Sequence, residues 1–172
     1  MCLSACAVRR PSDPPDRQAA YGVLPAGAVH APAQSLPHLR RWGRWVLQTV
    51  QRSDATLPRL RLAVAGYVRA GTDRPQAWHR DVPLAHAGVA LSAFSPVNVA
   101  SPDDDPAGSR WRPEGRRAQP MGNAVGDLFV IDSRAQHRGG ACPRGIRHRY
   151  VAFAALVEAG RPPPDYDSTV PL

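Results

Sequence analysis

The chain has 172 residues and 18.6 kDa, which suits one domain and is too short for two of ordinary size. Its 43% hydrophobic content can build a core, no apolar run nears the ~18–20 residues that cross a bilayer, and its net charge of +8 comes from arginine without a single lysine. The missing lysines exclude Schiff-base chemistry and a phosphate-loop lysine, and the 6% aromatic content with scattered arginines speaks against a nucleic-acid-binding stripe.

The opening MCLSACAVRR places its charges after a short apolar stretch, the reverse of a secretory signal. Cys2, Cys6 and Cys142 are odd in number and lack metal-finger spacing, so the expected setting is a reducing, intracellular one. Residues 1–34 read as a flexible lead-in, because the prolines of RRPSDPPDR remove donors and fix the backbone. Residues 35–52 (SLPHLRRWGRWVLQTVQR) read as a helix capped by Ser35. Leu36, Leu39, Trp42, Trp45, Val46 and Val50 recur near helical spacing, and Gly43 weakens the pattern.

From residue 57 the period changes to two. Leu60, Leu62 and Val64 alternate with Arg59, Arg61 and Ala63, as in a strand with one buried face. A second strand-like run covers 87–99 and is broken or confined to an edge by Pro96. Residues 101–120, with the acidic run Asp103-Asp104-Asp105, read as one long solvated loop. Two strands follow, DLFVIDSR (127–134) and RHRYVAFAALVEA (147–159), before a proline-rich tail over 161–172. One domain over 35–160 is therefore expected, mainly β, a jelly-roll or sandwich with a supporting N-terminal helix.

Two stretches can carry chemistry. In WHRD, His79 and Asp81 are two residues apart and would share a strand face. In GDLFVIDSRAQHRGGA, His137 follows the end of a strand, and Gly139-Gly140 leave backbone room beside it. Two histidines and one carboxylate on one face of a metal, with the opposite face open, form the facial triad of non-haem Fe(II) oxygenases. Spacing alone leaves ordinary histidines equally open. A 2-oxoglutarate cosubstrate would also need a fixed cation for its far carboxylate, which the guanidinium fork supplies. Arg147 and Arg149 open the last strand and would share one of its faces.

WHRD, then GDLFVIDSRAQHRGGA, then an Arg-Tyr pair opening the last strand, in that order, resembles the phytanoyl-CoA dioxygenase family of Fe(II)/2-oxoglutarate oxygenases. The likeness is carried by residues 76–81 and 126–157. It implies a double-stranded β-helix (jelly-roll), iron held by His79, Asp81 and His137, and Arg149 on the 2-oxoglutarate carboxylate. His148 stands where the family usually has that arginine; Arg149-Tyr150-Val151 continues the family pattern best, with Arg147 as the alternative. The implied reaction is hydroxylation of a small-molecule or acyl substrate by O2, with succinate and CO2 as co-products. Asp81 favours hydroxylation over halogenation, because related halogenases carry a small residue there. The rival reading is a truncated or catalytically inactive jelly-roll that acts as a binding module, and an arginine-rich nucleic-acid binder is the weaker one. His30, His38, His86 and His148 are read as bystanders.

Overall fold

The computed structural model describes residues 18–23, 36–70, 74–99, 108–112, 116–121, 124–147 and 149–163. A five-stranded antiparallel sheet forms the larger layer. Its strands are β1 (Gln18–Val23), β2 (Leu60–Ala70), β3 (Ala90–Pro96), β6 (Phe129–Asp132) and β8 (Arg149–Glu158), in the order β1-β2-β8-β3-β6. The smaller layer has three antiparallel strands, β4 (Arg110–Arg112), β5 (Gln119–Pro120) and β7 (Gln136–Arg138), in the order β5-β4-β7. One helix, α1 (Leu36–Ser53), packs on the larger sheet. No helix of the described residues is long and apolar enough to cross a membrane.

The helix forms because its apolar positions make a stripe that the sheet covers. Val46 and Val50 are buried against Leu60, Leu62, Ala65, Ala93, Ala154 and Leu156, with Trp42 and Leu47 at the margin. Trp45 does not belong to this stripe and is 47% exposed, since it sits about 100° around the helix from Val46. Gly43 has a packing reason: a Cβ there would lie 2.7 Å from Leu62 Cδ2 and 3.2 Å from Ala65 Cβ. The glycine and the alanines of the sheet let the helix axis come close, and Leu62 is too buried to yield cheaply.

The alternation expected along β2 is broken at one point. The register with β8 slips between Leu62 and Val64, so Leu62 opposes Leu156 while Val64 opposes Ala155. This bulge reverses the parity of the strand. Leu60, Leu62 and Ala65 therefore face the helix, whereas Ala63 and Val64 turn to the other side with Val82, Ala90, Ala155 and Val157. Val64 is thus not on the face of Leu60 and Leu62.

Three further expectations are corrected. Gln18–Val23 lies within the stretch read as a lead-in, yet it pairs with β2 from Gln18↔Arg69 to Val23↔Val64. The rest of that lead-in, and Ser35 as a cap, lie outside the described residues, as does the tail beyond 163. Within 101–120, β4 and β5 form strands, each too short to display a period in sequence. The 147–159 strand begins only at Arg149, after the turn at Gly145 (φ 81°), so Arg147 precedes it and does not share a strand face with Arg149. Elsewhere the expected elements form with trimmed ends, and Pro96 is the last residue of β3.

Candidate metal centre

The connection from β2 to β3 runs back across the inner face of the larger sheet, the face opposite α1. It is held there by backbone bonds: the Asp81 and Val82 amides donate to the Ser133 carbonyl at 3.0 and 3.2 Å. His79 and His137 exchange both amide–carbonyl bonds, at 3.0 and 2.9 Å, in an isolated antiparallel bridge. His79 and Asp81 consequently do not lie in a regular strand, and His137 sits within β7 rather than after a strand. The convergence expected of them is nonetheless present. One ligating atom from each of His79, Asp81 and His137 lies within 4.8 Å of the other two.

The two histidines present the same nitrogen. His79 Nδ1 is 2.9 Å from the Ala77 carbonyl oxygen, and His137 Nδ1 is 3.2 Å from that of Ala135. A carbonyl can only accept, so each Nδ1 is the donor, and in the neutral imidazole that leaves the lone pair on Nε2. Both Nε2 atoms face Asp81: His79 Nε2 is 3.9 Å from Oδ1 and His137 Nε2 is 3.4 Å from Oδ2. The carboxylate is fixed from behind, where Ser92 Oγ donates to Oδ2 at 2.7 Å and pairs with Ser133 Oγ at 2.8 Å. Outer contacts of this kind set the tautomer and aim of ligands. Donors about 2.0–2.2 Å from a common ion lie roughly 3 Å apart, so a divalent cation needs only a small contraction of this cluster. The donor set, two imidazole nitrogens and one carboxylate oxygen, fits iron(II).

Arg149 opens β8 on the inner face and is 2% exposed. Its Nη1 donates to the Gly140 carbonyl at 3.2 Å and its Nη2 to Ser109 Oγ at 2.7 Å, while the Gly140 amide also donates to Ser109 Oγ at 3.0 Å. The guanidinium is thereby tied to the segment just after His137. Burial pushes the Cys142 thiol up, against the opposing pull of the Arg149 amide and guanidinium. It therefore stays protonated, donating to the Ile146 carbonyl at 3.1 Å. Arg147, by contrast, is exposed. His86 lies apart from the cluster, with its carbonyl accepting from Arg134 Nη1 at 3.1 Å. Ser92, Ser133 and Ser109 were invisible to pattern reading, since single serines far apart in sequence carry no spacing signal.

No family model and no curated protein matches the chain. Solved structures do. An oxidoreductase of the 2OG-Fe(II) oxygenase family from Burkholderia pseudomallei superposes with a TM-score of 0.58 at 14% identity, over 84% of this chain and 69% of that one. The non-heme alpha-ketoglutarate-dependent epimerase SnoN from nogalamycin biosynthesis gives 0.55 at 20% identity, over 74% of this chain and 57% of that one. HygX from Streptomyces hygroscopicus, solved with nickel, 2-oxoglutarate and hygromycin B, gives 0.57 at 11% identity, over 90% and 78% of the two chains. At these identities the likeness establishes the fold: a mainly β jelly-roll of the kind found in 2-oxoglutarate oxygenases, with one helix on its larger sheet.

Proposed function

We propose that the protein is an Fe(II)- and 2-oxoglutarate-dependent dioxygenase in which His79, Asp81 and His137 hold the metal and Arg149 anchors the far carboxylate of 2-oxoglutarate. The observation that carries this reading is the three-residue cluster itself, with both Nδ1 protons committed to backbone carbonyls and both Nε2 lone pairs turned to one carboxylate. Iron bound there would supply O2 activation coupled to oxidative decarboxylation of 2-oxoglutarate to succinate and CO2. The chain's own residues orient and exclude. Ser92 and Ser133 keep Asp81 pointed at the histidines. Arg149, held by Ser109 and Gly140, offers a pre-aimed cation in a nearly water-free setting, where a carboxylate gains most from a charged partner.

Asp81 favours hydroxylation over halogenation, the substrate being a small molecule or an acyl group, and kinship with the phytanoyl-CoA dioxygenases rests on WHRD, GDLFVIDSRAQHRGGA and the Arg149-Tyr150 pair. The experiment is anaerobic loading with Fe(II), then addition of 2-oxoglutarate and O2 with succinate as the readout. Succinate that requires both iron and 2-oxoglutarate supports the reading. Iron binding with no succinate across a broad substrate panel would favour the inactive binding module instead.

A further inference from the structure

The chain has three phenylalanines, and all of them lie in one cross-strand row on the face that carries the metal cluster. Phe94 of β3 is directly opposite Phe129 of β6 and also directly opposite Phe153 of β8. Side chains at directly opposed positions project to the same side. That side is the inner one, because the Phe94 ring lies 5.3 Å from the ring of His137. The row continues across to the smaller sheet. Trp111 of β4 opposes His137 of β7, and its indole meets Phe129 edge-on at 6.1 Å. His137, Phe94, Phe129 and Trp111 therefore form a closed circuit in which one member is a metal-ligand candidate and the other three are aromatic.

A hydrophobic core would bury such rings fully, as it does Leu62, Leu156 and Val46 on the opposite side of the sheet. Phe94, Phe129, Phe153 and Trp111 instead each keep part of their surface accessible. Two charged residues of this face are already engaged, Asp81 within the cluster and Arg149 by Ser109 and Gly140. Flat rings set at tilted and edge-on angles favour other rings, through their quadrupoles as well as through apolar contact. Against the rings themselves a hydroxyl-rich molecule would lose hydration and find no hydrogen-bond partner.

From this circuit we infer that the substrate presents a neutral, flat aromatic ring, which Phe94, Phe129 and Trp111 hold beside His137. The inference rests on the proposed function for treating this face as the place where substrate is held.

The test uses the full chain and two probes of similar size, 2-naphthol and methyl β-D-glucoside, with binding followed by saturation-transfer NMR and calorimetric titration. The expected result is binding of 2-naphthol and not of the glucoside. Phe129→Leu keeps apolar volume and removes the flat face, and it should weaken 2-naphthol by roughly 2- to 12-fold, as should Trp111→Leu. Trp45→Ala, on the exposed side of α1, should change nothing and controls for surface adsorption. Glucoside binding as tight as that of 2-naphthol, unchanged affinity in both leucine variants, or an equal loss in Trp45→Ala would each overturn the inference. Titration of the same samples with Ni(II) keeps the two proposals apart. Failure to bind metal would count against the oxygenase reading, whereas the probe preference stands or falls on the rings alone.

Discussion

The two faces of the five-stranded sheet differ in whether they bury polar groups beside hydrocarbon ones. Towards α1 the sheet offers Leu62, Ala65, Ala93, Ala154 and Leu156, all buried and all hydrocarbon. On the inner side, beside the hydrocarbon cluster of Ala63, Val82, Ala90, Ala155 and Val157, Ser92 and Arg149 project from the sheet while Ser133 and His137 pack over it, four of the five buried polar or charged residues among those described. A hydrocarbon face contributes through the area it removes from water, roughly 25 cal/mol per Å2, and asks little of geometry beyond close packing. A buried polar face contributes little net stability and is acceptable only if each group finds a partner. Stability and chemistry are separable here, and substitutions on the two sides should have different signatures.

The sharpest break is Asp81→Ala. It removes a ligand itself, so affinity for Ni(II) or Co(II) should fall by more than the roughly 10- to 100-fold typical of an outer contact. The urea midpoint should hold or rise, because the two histidines lose a partner that is paired with them only across a gap. A destabilised but metal-competent variant would contradict the division of faces.

Arg149→Ala comes next. Loss of the buried partner of a carboxylate costs about 2–5 kcal/mol, or roughly 30- to several-thousand-fold in the 2-oxoglutarate requirement, read as succinate formation at varied cosubstrate. Arg147→Ala, at an exposed position before β8, should cost under about 1 kcal/mol. Reversed effects would transfer the anchoring role to Arg147. No effect from either, in an active enzyme, would remove 2-oxoglutarate from the account.

On the helix side, Leu156→Ala should destabilise the fold by about 2–5 kcal/mol in urea or thermal unfolding, since Leu156 is fully buried between α1 and the sheet. Metal affinity of the folded fraction should not change. A parallel loss of metal affinity would show that the faces are coupled. Ser92→Ala is the finest probe of the comparison. It removes the hydroxyl that donates to Asp81 Oδ2 and should lower metal affinity by roughly 10- to 100-fold with little change in the unfolding midpoint.

Much of this division was legible in the sequence. Period-two alternation located β2, strand-like apolar runs between turn residues located β3, β6 and β8, and the apolar stripe located α1 to within a residue at each end. His79, Asp81 and His137 stood out because imidazole and carboxylate at short spacing beside glycines are chemically conspicuous. Other features left no trace in side-chain pattern. A bulge such as that at Leu62/Val64 inserts no special residue type, so the parity reversal is visible only in the register. The Ala77 and Ala135 carbonyls that set the histidine tautomers are backbone atoms common to every residue. Ser109, which steadies Arg149 from 40 residues away, comes from a segment whose strands are two and three residues long. Gln18–Val23 borrows its structure from pairing with β2, a tertiary effect that local composition does not report.

In the proposed enzyme one inner-face cluster takes the metal while a buried arginine on the same face takes the cosubstrate. A crystal structure of the full chain grown with Ni(II) and 2-oxoglutarate, with anomalous diffraction to place the metal, tests it most directly. The expected result is one anomalous peak about 2.0–2.2 Å from His79 Nε2, His137 Nε2 and a carboxylate oxygen of Asp81, with the far carboxylate of 2-oxoglutarate on Arg149. A metal bound elsewhere, or 2-oxoglutarate lying away from Arg149, would contradict it.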